Sequence, residues 1–131
     1  MVVIDASVWI ARLKTDDKFH EFANSIFRSL ASNEETICIP AIAFTEVAGA
    51  IKRTTNDKSA ASAAVYDMKD MNMKVFADFE KLEPIATDIA IQYSIKGADA
   101  YYLAVAEMTK SKLYTFDKQQ EEAFEAISKN W

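Results

Sequence analysis

The stretch Val2-Val3-Ile4-Asp5-Ala6-Ser7-Val8 opens on three apolar β-branched residues and stops at a carboxylate. Such a run is too short and too apolar for a surface helix and reads as a buried strand. Thr36-Ile37-Cys38-Ile39, closed by Pro40, is a second run of this kind. Lys74-Val75-Phe76 is a weaker third, and Leu113-Tyr114-Thr115-Phe116 is a fourth. Helical spacing fills the intervals. Phe19, Phe22, Ala23, Ile26, Phe27 and Leu30 recur every three or four residues and predict one apolar helix face. Ile42 to Arg53 is apolar almost all round, as a buried helix is. Asn56-Asp57-Lys58-Ser59 reads as a polar turn before an alanine-rich helix from Ala60 to Met71. Pro84 is expected in the first turn of a helix through Ile85, Ile89 and Tyr93, which Gly97 ends. Helices from Asp99 to Met108 and from Asp117 to Ile127 complete the chain. Strands alternating with helices predict an α/β fold in three layers, a central parallel sheet of four to five short strands covered by helices on both faces. The tail Ser128-Lys129-Asn130-Trp131 is a poor candidate for the fifth strand.

The 131 residues suit one domain spanning 1–131, and 50% hydrophobic with 27% charged residues is the balance of a globular protein. The single cysteine, Cys38, lies in an apolar run and is read as a small core residue in a reducing compartment. Two glycines, Gly49 and Gly97, exclude a Walker A loop and a GxGxxG fingerprint. One histidine, His20, excludes multi-histidine metal sites and HExxH. Chemistry is left to carboxylates, hydroxyls, lysines and arginines. A net charge of −5 disfavours coating of duplex nucleic acid or an anionic membrane by bulk charge. Without a basic, apolar leader or an apolar stretch near the roughly 20 residues that span a bilayer, the chain is expected to be cytoplasmic.

Functional groups in open parallel sheets collect beyond the carboxyl ends of the strands. Asp5 and Asp117 both fall there, and converge if their strands are neighbours. Glu46 sits in the apolar helix after the second strand, an expensive place for a carboxylate without a partner, a metal or a wet cleft. Asp99 heads another apolar helix in Gly97-Ala98-Asp99-Ala100-Tyr101-Tyr102. Singly, each acid has a plain structural reading. Asp117 and Asp99 suit helix caps, and Asp5 suits the end of a strand. Jointly they say more. Two carboxylates about 4 Å apart repel by roughly 4 kcal/mol at an effective dielectric near 20. Four in one pocket must take up protons or bind hard cations, and oxygen ligands favour Mg²⁺ or Mn²⁺ over zinc. Such a site suits phosphodiester chemistry.

At these residues the sequence resembles the PIN-domain ribonucleases, in particular the VapC-like toxins of toxin–antitoxin pairs. The resemblance is carried by Val3-Ile4-Asp5-Ala6-Ser7-Val8, Thr45-Glu46-Val47, Gly97-Ala98-Asp99-Ala100-Tyr101 and Tyr114-Thr115-Phe116-Asp117, in the family's order and over nearly the whole chain. It implies a PIN-like, Rossmann-like fold and Mg²⁺- or Mn²⁺-dependent endoribonuclease cleavage of single-stranded or loop RNA. It also implies a small antitoxin partner and a homodimer. By motif position it implies that Asp5, Glu46, Asp99 and Asp117 form the acidic cluster, that Asp5, Asp99 and Asp117 hold the metal directly or through water, and that Glu46 orients or deprotonates the attacking water. The product would carry a 5′-phosphate and a 3′-hydroxyl. Ser7 and Thr115 would orient the carboxylates. Gln119 and Gln120 depart from the pattern, where many relatives have an acid or an apolar residue.

An acidic protein still has to hold RNA. Arg12 and Arg53 are the favoured phosphate contacts among the basic residues near the motifs. Trp9 is expected to pack in a core or dimer contact rather than stack on a base, and Tyr101-Tyr102 to serve packing. Two other readings remain open: a PIN-like binding domain without activity, and an aspartyl phosphotransferase, although Asp5-Ala6-Ser7 lacks the second acid such an enzyme needs.

Overall fold

A computed structural model describes residues 1–131. Four strands form one sheet: β1 (Val2–Ile4), β2 (Ile37–Pro40), β3 (Met73–Phe76) and β4 (Lys112–Tyr114). Their order is β3-β2-β1-β4 and every pairing is parallel, with Val3 opposite Cys38 on one side and Leu113 on the other. Successive side chains of a strand point to opposite faces. Val2, Val3 and Ile4 are all buried, so both faces of the central strand are covered. Cys38 is a buried core residue. The tail forms no fifth strand; it follows the last helix, and β4 is an edge.

Parallel pairing requires helical crossovers. These are α1 (Ala6–Leu13), α2 (His20–Ser32), α3 (Ile42–Thr55), α4 (Lys58–Asp70), α5 (Phe79–Tyr93) and α6 (Gly97–Thr109); α7 (Lys118–Ser128) follows β4. Helix α6 is apolar all round because it lies inside. Ala100, Tyr102, Leu103, Ala104, Val105 and Ala106 are buried, and the helix runs against β1, β2 and β4 with α5 and α7 beside it. Trp9 of α1 meets Phe27 of α2 edge-on at 4.8 Å and is fully buried, the packing role the sequence suggested.

Three local expectations change. Helix α5 begins at Phe79 because Asp78 caps it, accepting from the Lys81 N–H at 3.2 Å. Pro84 therefore lies inside the helix, not in its first turn, and deprives the Glu80 carbonyl of its intrahelical donor. Helix α4 likewise starts at Lys58, two residues early, since Asp57 accepts from the Ser59 and Ala60 N–H groups. The face read from Phe19 to Leu30 is only partly buried: Phe19 and Phe22 are 40% and 60% exposed, and both rings lie against Phe116.

Candidate active site

Because β1 and β4 are neighbours, their carboxyl ends bring Asp5 and the Thr115–Asp117 loop together. Asp5 leaves β1 and becomes the N-cap of α1. Its Oδ2 accepts from the Ser7 N–H at 3.1 Å and the Ser7 hydroxyl at 2.6 Å, and the Thr115 hydroxyl lies 3.2 Å away. Its Oδ1 has no hydrogen-bond partner, although the residue is only 3% exposed. One oxygen is committed and the other is bare.

The hydroxyls that fix Asp5 also shape the loop opposite. Ser7 Oγ accepts from the Phe116 N–H, and Thr115 Oγ1 accepts from the Asp117 N–H, both at 3.0 Å. Thr115 shares its own proton between Asp5 and Gln120 Oε1, the latter at 2.8 Å. Asp117 is an exposed N-cap of α7, accepting from the Gln120 N–H at 2.8 Å. Strand β4 ends at Tyr114, so Asp117 stands beyond a two-residue loop rather than directly on the strand end.

Asp99 is not a cap. It is the third residue of α6, whose N-cap position is Lys96. Burial, then the negative charges of Asp5 and Asp117, push its carboxyl up to about 6, with Lys96 acting in the opposite direction. Glu46 is half-buried in α3 with an unpartnered Oε1. Burial raises its carboxyl as well, and Asp5 and Asp99 push it further, while the neighbouring Tyr102 hydroxyl opposes them. No well-aligned hydrogen bond closes between that hydroxyl and Glu46: both Tyr102 Oη and Glu46 Oε1 are buried without one. The Tyr102 phenol is pushed far up by its burial, then by Glu46, Asp5 and Asp99.

Four acids from four parts of the chain thus feel one another, and none has an ion-pair partner. The ion pairs of the molecule lie elsewhere, and even Lys118, beside Asp117, turns to Glu122. Compensation comes from backbone: Asp5 and Asp117 cap α1 and α7, and Asp99 sits in the first turn of α6, where the helix dipole favours negative charge. No three of the acids stand close enough to enclose an ion by themselves. Two bare, buried carboxylate oxygens and an all-oxygen donor set nevertheless fit a hard cation that keeps several waters, as Mg²⁺ does with one or two carboxylates.

The basic residues divide. The Arg12 guanidinium lies over the Phe27 ring at 4.8 Å and lines a cleft with Asn24, Arg28, Glu35 and Asn72, away from the four acids. Arg53 is on α3, two turns beyond Glu46. Tyr101 stacks on Phe79 at 5.4 Å and Tyr102 is buried, so neither offers a free face.

Two residues of the site escaped the sequence reading. Tyr102 was taken only as packing. Gln120, by sequence the helix-cap partner of Asp117 and a departure from the family pattern, is in addition fully buried and joins α7 to α6, its Nε2 donating to the Asp99 carbonyl at 3.1 Å. The signal was present: Gln120, Ala123, Phe124 and Ile127 share one face of α7. Gln119, in contrast, is exposed and reaches the Ser94 carbonyl at 3.2 Å.

The PIN domain family model matches residues 2–125. The chain belongs to the PIN domain family. Among solved structures this PIN domain is similar to Mycobacterium tuberculosis VapC20, described as a sarcin-ricin loop cleaving toxin. The TM-score is 0.81 at 21% identity, over 94% of this chain and 95% of that one. At that identity the likeness is one of fold. No curated protein sequence matches. No helix of this PIN domain is long and apolar enough to cross a membrane.

Proposed function

We propose that this PIN domain is a Mg²⁺- or Mn²⁺-dependent endoribonuclease that hydrolyses phosphodiester bonds of single-stranded or loop RNA, as the toxin of a toxin–antitoxin pair. The observation that supports this reading is the acid set: Asp5, Glu46, Asp99 and Asp117 act on one another's charge, two of them carry bare buried oxygens, and none has an ion-pair partner. The fold shared with VapC20, itself described as a sarcin-ricin loop cleaving toxin, supports the choice of substrate.

Asp5, Asp99 and Asp117 would hold the ion, directly or through water. When bound, a divalent ion supplies Lewis-acid stabilisation of charge on the phosphate and a more acidic water. Glu46 orients the attacking water and accepts its proton, and a carboxyl raised by burial is a better base near neutral pH than an ordinary one. Ser7 and Thr115 hold Asp5 so that one of its oxygens stays free. Tyr102 lies buried beside Glu46. Arg53 and, more remotely, Arg12 contact the phosphates of the substrate. A small antitoxin protein and a second copy of the chain are the proposed protein partners, tested by co-purification from the native host and by sedimentation.

Incubation with a structured RNA and Mn²⁺ or Mg²⁺ tests the reaction. Cleavage is expected, leaving 5′-phosphate ends, and EDTA should abolish it. Asp5→Asn and Asp99→Asn should each lower the rate by roughly two to four powers of ten, the loss of several kcal/mol of charge stabilisation. Cleavage unaffected by both substitutions would remove the assignment.

A further inference from the structure

Gly49 lies in the middle of α3, where glycine is less favourable than alanine. No glycine of the chain has a positive φ, so the backbone does not call for one here. A methyl group at position 49 would meet only one neighbour within 4 Å, the Arg53 side chain, with Nη1 at 3.0 Å and Cζ at 4.0 Å. That contact is tighter than ordinary van der Waals contact, so the guanidinium would have to give by a few tenths of an ångström. The missing side chain at Gly49 therefore serves Arg53 and nothing else nearby.

Glu46, Gly49 and Arg53 are spaced by three and four residues, so they share one face of the helix. Side chains on a helix lean toward its N-terminus. Arg53 follows that lean and folds back over Gly49, one turn nearer to Glu46. It forms no ion pair, whereas its neighbour Lys52 is drawn the other way, to Asn56 Oδ1 at 2.6 Å. A planar cation with free donors thus rests on bared backbone, one turn nearer to Glu46 than its own Cα.

We propose that Gly49 is the seat of the Arg53 guanidinium, and that the seated guanidinium receives the non-bridging oxygens of an RNA phosphate next to the one being cut. The inference rests on the nuclease reading above. Arg53 has the paired donors that phosphate oxygens take, and a lysine would offer only a point charge. Gly49 is a positioning residue, acting through Arg53.

Cleavage kinetics and thermal melts of Gly49→Ala, Arg53→Gln, Arg53→Lys and the Gly49→Ala/Arg53→Gln double variant test it. Gly49→Ala should hold or raise the melting temperature while kcat/KM falls about tenfold, mostly through KM, the effect of losing one phosphate contact. Arg53→Gln should fall by as much and make RNA binding less salt-dependent by about one ion. Arg53→Lys should recover only part of the loss. The double variant should be no worse than Arg53→Gln alone, since the glycine matters only through the arginine. Wild-type kinetics in Gly49→Ala, a lower melting temperature for it, or losses that multiply in the double variant would each overturn the proposal while leaving the nuclease reading intact. Absence of any cleavage by the wild-type protein would instead strike the nuclease reading itself.

Discussion

Asp99 is where the conflict between folding and function is sharpest. Its carboxyl rises from 3.8 to about 6 on folding because burial and the charges of Asp5 and Asp117 oppose ionisation. Well below pH 3.8 the group is protonated in both states and costs nothing. As pH rises, the unfolded chain ionises first, so the stability that protonation protects is lost progressively until the folded carboxyl ionises near 6. Burial raises Glu46 in the same direction. In metal-free protein, Asp99→Asn should therefore leave the melting temperature unchanged or raise it at about pH 7.5, and change it little at about pH 4. Melts in EDTA at the two pH values measure this. A large loss of stability at the higher pH would mean that the carboxylate serves the fold, a role its geometry does not suggest, since Asp99 is the third residue of α6 and not at its N-cap position.

At the scale of elements, the loop between β4 and α7 decides whether the site is assembled. Gln120 holds that loop from inside, with Thr115 on one end of its amide and the Asp99 carbonyl on the other. Gln120→Leu keeps the bulk and removes both bonds, each worth about 0.5–1.5 kcal/mol. Gln119→Ala, at an exposed neighbour, should stay within about 0.5 kcal/mol. Urea unfolding of the two variants side by side separates them, and equal stabilities would remove the role given to Gln120. The same loop marks how far the sequence could be read. The parallel strands and the apolar helices follow from periodicity, and Asp5 from a carboxylate at a strand end, while Glu46 and Asp99 stand out as acids in apolar helices. What escaped depended on competition between local signals. Asp78 outbid Pro84 for the start of α5, because a side chain that satisfies a backbone N–H fixes a helix start more strongly than a proline that merely tolerates one. Phe19 and Phe22 have core-like spacing but lie at the start of α2 against Phe116, a contact set by tertiary structure alone. Gln120 was legible only by trusting the helix face over the residue type.

At the scale of the whole molecule, the proposed function asks a chain of net charge −5 to bind a polyanion at a site of carboxylates. Bulk electrostatics oppose that encounter, because a protein attracts nucleic acid through cations that release counterions from the phosphates. Divalent ions in the acid cleft would reverse the local sign, so substrate affinity and metal affinity should be coupled, each strengthening the other equally. Removing the negative charge by mutation should then imitate part of the effect of the metal. In EDTA and low salt, Asp5→Asn/Asp99→Asn should bind a single-stranded oligoribonucleotide more tightly than the wild-type protein, by about tenfold if each lost charge relieves roughly 0.7 kcal/mol of repulsion in the wet cleft. Fluorescence anisotropy of a labelled oligonucleotide reads this directly, and added Mn²⁺ should close the gap by strengthening binding to the wild type alone. Equal affinities without metal would mean that the phosphates do not pass over these acids, and that RNA meets the protein on some other face.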